Sequence, residues 1–165
     1  MSAELVIRPG EIITWMGLAF ETNDQVLVPR RETELLARAA LELLKTVEAA
    51  PIRVIDMCCG AGNLACALAH ARPDIRVWAS DLTDACVGLA RKNVAGHGLE
   101  GRVDVRQGDL FSSLPDEELV GSVDLVDRGR NAGYPAPPVQ TRTGPTKASG
   151  SYLGCLAAKR TAGQG

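Results

Sequence analysis

Between residues 52 and 126, short β-branched runs alternate with alanine- and leucine-rich stretches, and this alternation restricts the fold more than anything else in the chain. Arg53–Met57, Ile75–Ala79 and Val103–Arg106 have strand length and strand composition, and Val123–Val126 reads as the start of a fourth strand. Asn63–Ala71 and Asp84–Val94 read as helices; Pro73 stops the first, Asp84 can cap the second, and Gly96 and Gly98 end it. Strands alternating with helices imply an α/β fold with a parallel sheet and right-handed crossovers, the fourth strand lying beside the first. Residues 32–48 place Leu35, Leu36, Ala39, Ala40, Leu43, Leu44 and Val47 on one helical face, ended by Ala49-Ala50-Pro51. Ile12–Trp15 and Gln25–Val28 are β-prone, and Thr22-Asn23-Asp24 between them predicts a β-hairpin turning there. The expected architecture is an incomplete doubly wound sheet, its first four strands preceded by a β-hairpin and a helix.

The chain changes character near residue 126. Nineteen of its 20 acidic residues fall in residues 1–126 against 12 of its 18 basic ones, so that part carries −7 and the remaining 39 residues carry +5. The tail holds seven glycines and four prolines, and Val139, Leu153 and Leu156 are its only Val, Leu or Ile residues. Such a segment buries too little apolar area to offset its ordering entropy, so a largely irregular, disordered tail is expected. Three regions follow: a hairpin region over 1–31, a partial domain over 32–126 and a low-complexity tail over 127–165. A net charge of −2 excludes a globally basic nucleic-acid binder, and six scattered tail charges without interleaved aromatics support nucleic-acid binding only weakly. No apolar run reaches the length of a membrane span, and Met1–Glu11 lacks the apolar stretch of a signal peptide.

The chemistry is carried by Val54-Ile55-Asp56-Met57-Cys58-Cys59-Gly60-Ala61-Gly62-Asn63, which runs from a strand through small residues into a helix. Gly60 and Gly62 permit positive φ and close approach of a ligand to the backbone. The helix start behind them offers free N–H groups. Asp81 ends the second strand some 20 residues further on, where a carboxylate accepts from both hydroxyls of a ribose. Asp109 follows Gly108 at the end of the third strand, within reach of an adenine amine. Three strand ends thus present Asp56, Asp81 and Asp109 at the carboxyl edge, where open α/β sheets bind ligands.

The turn is neither G-x-G-x-x-G nor a P-loop, and three carboxylates disfavour a pyrophosphate. They suit a cationic nucleoside with a free ribose, and S-adenosylmethionine fits. Taken singly, an aspartate at a strand end is more often a turn former or helix cap, and a lone G-x-G is weak; the joint spacing over three strands favours the ligand reading. Five cysteines without a C-x-x-C, two of them adjacent, give neither a disulfide framework nor a metal site and suit a reducing cytoplasm. Cys58 and Cys59 read as small turn residues, and His70 and His97 as solvent-facing helix ends.

Over roughly residues 11–126 the sequence resembles the class I S-adenosylmethionine-dependent methyltransferases, which have a Rossmann-like fold. More narrowly it is similar to the HemK/PrmC family of protein-(glutamine-N5) methyltransferases, which modify peptide chain release factors. Gly17-Leu18-Ala19-Phe20 and Val26-Leu27-Val28-Pro29-Arg30-Arg31-Glu32-Thr33-Glu34-Leu35-Leu36 resemble the signature ahead of that family's catalytic domain, with Arg31 where a second proline is usual. Asp56–Gly62 matches the cofactor loop, Ala79-Ser80-Asp81-Leu82 the ribose-binding strand end, and Gln107-Gly108-Asp109-Leu110-Phe111 the adenine-proximal turn. The resemblance implies cofactor-binding roles for Asp56, Cys58, Cys59, Gly60, Ala61, Gly62, Asp81, Leu82, Asp109 and Leu110, with no metal. The Cys59–Gly62 backbone would take the methionine end.

The family's Asn-Pro-Pro-Tyr acceptor motif does not follow Val123-Asp124-Leu125-Val126. The nearest text is Asn131-Ala132-Gly133-Tyr134, making Asn131 and Tyr134 the weak catalytic candidates. The composition break at that point is what truncation or a frameshift after about residue 126 would leave. The expected function is N-methylation of a release-factor glutamine in the cytoplasm, or a fragment of an enzyme doing so. A nucleobase amine as acceptor, a catalytically inactive cofactor-binding remnant and a Rossmann-fold oxidoreductase are the alternatives.

Overall fold

The computed structural model describes residues 10–48, 50–115, 119, 121–128 and 155–158 of the 165. β1 (Ile12–Trp15) and β2 (Leu18–Glu21) form an antiparallel hairpin that pairs Trp15 with Leu18. Met16 and Gly17 close it with φ of 50° and 80°, the pair of left-handed residues that a tight two-residue hairpin turn requires. The expected partner strand, Gln25–Val28, is instead a loop. Its turn chemistry operates on a smaller scale: Asn23 Oδ1 accepts from the amides of Gln25 (3.1 Å) and Val26 (2.9 Å).

α1 (Arg31–Leu44) ends four residues before the predicted stop. The amides of Thr46 and Val47 bond back only three residues, which tightens the chain out of the helix. Glu32 and Glu34 occupy the first turn, where their charge favours the helix dipole, and Leu36, Ala37, Ala40 and Leu44 are buried.

The main sheet contains β3 (Ile52–Met57), β4 (Ile75–Asp81), β5 (Val103–Gln107), β6 (Leu125–Arg128) and β7 (Cys155–Ala158) in the order β5-β4-β3-β6-β7. The first four are parallel and β7 is antiparallel to β6. α2 (Asn63–Ala71) and α3 (Asp84–Gly96) are the crossovers, and α2 has the bounds expected from the sequence. Thr83, not Asp84, caps α3: its hydroxyl accepts from the Cys86 amide at 3.2 Å. Most of the tail lies outside the described residues. Two parts of it are strand: Asp127–Arg128 completes β6, and Cys155–Ala158 pairs along β6.

Side-chain alternation along the strands sorts the core. Ile52, Val54, Ile75, Val77, Ala79, Val103, Val105 and Leu125 join the buried faces of α1, α2 and α3. Ile55, Met57 and Trp78 point the other way and pack with Leu114 and Leu119. From β3 the chain moves outward to β4 and β5 and returns on the opposite side as β6. The carboxyl end of β3 is therefore a topological switch point. Among the described residues no helix is long and apolar enough to cross a membrane.

Candidate functional site

The glycine turn leaves β3 at Met57 and enters α2 at Asn63. Cys58, Gly60 and Gly62 all have positive φ (57°, 54° and 75°), so the segment coils tightly. Gly62 is required twice over. A Cβ there would lie 3.1 Å from Ala90 Cβ and 3.3 Å from Ala90 Cα, so α2 and α3 approach each other across it. A glycine at the N-cap has no side chain to cap with. The cap comes from β3 instead: buried Asp56 accepts from the Ala65 amide through Oδ2 at 3.2 Å. Of the three expected strand-end carboxylates, Asp56 is thus turned into the protein beneath the turn.

Asp81 is half-buried, and its two oxygens brace neighbouring strand ends. Oδ2 accepts from the Gly60 amide at 3.0 Å, and Oδ1 from the Leu82 amide at 2.8 Å. The Asp81 carbonyl accepts from the Gly108 amide at 3.0 Å, while the Ser80 hydroxyl donates to the Leu110 carbonyl at 3.0 Å. Gln107 Nε2 donates to the Leu82 carbonyl at 3.1 Å. The glycine turn, the β4 end and the β5 end are consequently one hydrogen-bonded edge, with Asp109 exposed on it. Gly108 permits the β5 turn, since a Cβ there would sit 2.4 Å from Ser113 Cβ. Leu82 and Phe111, close in sequence to Asp81 and Asp109, are 52% and 49% exposed, two of the six large apolar side chains exposed among the described residues. Asn131 and Tyr134 lie outside the described residues.

Electrostatics separate the inward from the outward acids. Burial pushes the Asp56 carboxyl well above its ordinary value, and Asp127 and Asp81 add to the shift. Asp127 is fully buried on β6 as the register partner of Asp56, on the same face of the sheet. Burial, then Asp56, raises the Cys59 thiol; the same two causes push Cys66 up to about 12. Cys86 is raised mainly by burial. These thiols are protonated at neutral pH and poor nucleophiles. Among the described residues no group of three or more His, Cys, Asp or Glu side chains could hold a metal.

The Asp56–Asp127 pairing predicts a pH profile. A carboxyl whose folded pKa is raised takes up protons on folding, so its contribution to stability falls as pH rises from about 3.8 towards the raised value. The slope reaches about 1.4 kcal/mol per pH unit for one proton. Asp127→Asn should flatten this decline and raise the thermal midpoint at pH 7–8. Midpoint curves for the two chains that run parallel from pH 4 to 8 would count against it.

Sequence reasoning passed over two residues that fasten the hairpin to the end of α3, one of which also holds the glycine turn. His97 is not merely a solvent-facing helix end: Nε2 donates to the Ala19 carbonyl at 2.8 Å and the ring packs on Phe20, 5.2 Å between centroids. Asn93 is buried and bonds to both the hairpin and the glycine turn. The available signal was an asparagine among the apolar positions Val87, Leu89, Ala90 and Val94 of α3.

The model of the family described as methyltransferase small domain matches residues 34–123, more than half of the chain. A release factor glutamine methyltransferase of Moorella thermoacetica is 34% identical over 131 residues, 79% of this chain and 46% of that protein. A 4-amino-L-phenylalanine/4-methylamino-L-phenylalanine methyltransferase of Streptomyces pristinaespiralis is 37% identical over 116 residues, 68% of this chain and 37% of that protein. The chain spans less than half the length of these curated relatives. Among solved structures, the METTL16 MTase domain superposes with a TM-score of 0.53 at 17% identity, covering 68% of this chain and 57% of that one. The precorrin-6y C5,15-methyltransferase of Geobacter metallireducens gives 0.51 at 17% identity, covering 69% and 55%. Both share the fold.

Proposed function

The chain belongs to the methyltransferase small domain family, and from that membership we propose that it binds S-adenosylmethionine as part of an N-methyltransferase acting on a release-factor glutamine. The observation that carries the cofactor reading is the braced Asp81 carboxylate, held beside the glycine turn by the Gly60 and Leu82 amides. The surroundings fit the ligand. An adenine would cover exposed Leu82 and Phe111, next to Asp109 and Leu110. Asp81 would accept from the ribose hydroxyls, and the Cys59–Gly62 backbone would face the methionine end. When bound, the cofactor supplies an electrophilic methyl group on a sulfonium.

The protein's part is orientation and water exclusion, because direct transfer to nitrogen needs alignment more than acid–base help. The acidic edge around the turn favours a cationic ligand over its neutral product. Release-factor glutamine is the acceptor named for the Moorella relative. Residues that would hold it, with Asn131 and Tyr134 as the sequence candidates, lie beyond β6. A cytoplasmic site of action follows from that substrate.

Calorimetry with S-adenosylhomocysteine should show one saturable site on the 165-residue chain, and labelled methyl should pass to a release factor. Binding without transfer would favour a cofactor-binding remnant. Transfer to an aromatic or nucleobase amine alone would move the acceptor. NADH binding in place of S-adenosylhomocysteine would sink the reading.

A further inference from the structure

We propose that Asn93 is a positioning residue: its side-chain amide locks the glycine turn to the β-hairpin and thereby sets affinity for the amino-acid end of the ligand. This rests on the cofactor reading above. Asn93 lies in α3 and is 3% exposed. Its Nδ2 donates to the Ala61 carbonyl at 3.0 Å and to the Glu21 carbonyl at 3.3 Å, while Oδ1 accepts from the Glu21 amide at 2.8 Å. One amide thus satisfies three backbone groups in two segments far apart in sequence. Both of its N–H donors are used, so a carboxylate of the same shape cannot replace it.

The grip falls on the peptide that shapes the turn. With the Ala61 carbonyl held by Asn93, the next amide, Gly62 N–H, is held by the Cys59 carbonyl at 2.8 Å. Both sides of the Ala61–Gly62 peptide are therefore fixed before any ligand arrives. A second, apolar attachment joins the same partners. Val26, just past the hairpin, packs with Ala61 and Leu89, and its Cγ1 is the nearest atom to a Cβ built on Gly60, at 3.9 Å. The hairpin region is thus fastened to the turn at two points. Asp81 and Asp109, which would hold the nucleoside, stand at the ends of β4 and β5, and Asn93 hydrogen-bonds to neither; the Asp81 carboxylate meets the turn only at the Gly60 amide and keeps its Leu82 brace whatever occupies position 93.

The test is calorimetry on the 165-residue chain with two probes, S-adenosylhomocysteine and adenosine. Asn93→Asp and Asn93→Ala should weaken S-adenosylhomocysteine about tenfold, as loss of one well-made hydrogen bond to a binding segment does. Adenosine affinity should stay within about twofold. His97→Ala, which removes a hairpin attachment that does not touch the turn, should lower the unfolding midpoint and leave both affinities within about twofold. Equal loss for both probes, no loss in either Asn93 variant, or a tenfold loss in His97→Ala overturns the proposal. So does failure of both Asn93 variants to fold by circular dichroism, which makes Asn93 a fold determinant only. If the unsubstituted chain binds neither probe, the cofactor reading falls and carries this inference with it. If it binds both and the Asn93 variants match it, only this inference falls.

Discussion

Replacing Gly62 with alanine is expected to destabilise the chain by about 2–5 kcal/mol, against about 1–2 kcal/mol for the same change at Gly60. Both residues have positive φ, and forcing an L-residue there costs roughly 1–2 kcal/mol. The difference lies in what the added methyl meets. At Gly60 the nearest atom is Val26 Cγ1 at 3.9 Å, an ordinary contact. At Gly62 it meets Ala90 Cβ at 3.1 Å and Ala90 Cα at 3.3 Å, and a helix backbone cannot rotate away as a long side chain can. Overpacking of that kind adds about 1–3 kcal/mol. Urea unfolding with an unchanged slope separates the two variants. A larger midpoint loss in Gly60→Ala than in Gly62→Ala would contradict the packing assigned to the α2–α3 crossing.

The second large effect concerns the ligand. Asp81→Asn should weaken S-adenosylhomocysteine binding about a hundredfold, equivalent to losing about 2.7 kcal/mol. The substitution keeps size and shape but exchanges one carboxylate oxygen for an N–H₂ group. That group would face either the Gly60 amide or the Leu82 amide, donor against donor. The side chain would lose a brace as well as charge-assisted bonds to a ribose. Asp109→Asn makes a useful comparison, because Asp109 is exposed and no side-chain bond of this kind fixes it; a loss of about tenfold or less is expected there. Asp81→Asn binding within fivefold of the unsubstituted chain would remove Asp81 from the ligand's first contacts.

The parts of the fold legible in the sequence were those written in local patterns. α2 is bounded by a glycine pair and a proline, the first three expected strands appear within two residues of their predicted limits, and the fourth starts at Leu125, two residues after the expected Val123. The side of β3 on which β6 lies followed from topology alone. The hairpin was misplaced because Met16-Gly17 is a weaker turn signal than Thr22-Asn23-Asp24, yet only the former puts two left-handed residues between strands of matched length. α1 was drawn too long because Val47 continues the apolar periodicity after the backbone has left the helix.

At the site, spacing located the glycine turn, Asp81 and Asp109, and the hydrogen bonds join all three strand ends. Asp56 was placed on the right strand but given the wrong outlook. Strand alternation puts it on the face of Val54, towards α2, and a helix beginning at a glycine needs an outside acceptor. Asn93 was hidden because its partners are backbone groups, and backbone groups carry no residue-specific signal.

The placement of β3 between β4 and β6 has a consequence for synthesis. One flank of β3 is completed by the very next strand, whereas the other must await residues numbered some 73 positions later. At ordinary elongation of about 5–20 residues per second, that interval is roughly 4–15 s. For those seconds the nascent chain displays an open row of main-chain donors and acceptors along one side of β3, the kind of unpaired strand edge that can recruit a second chain.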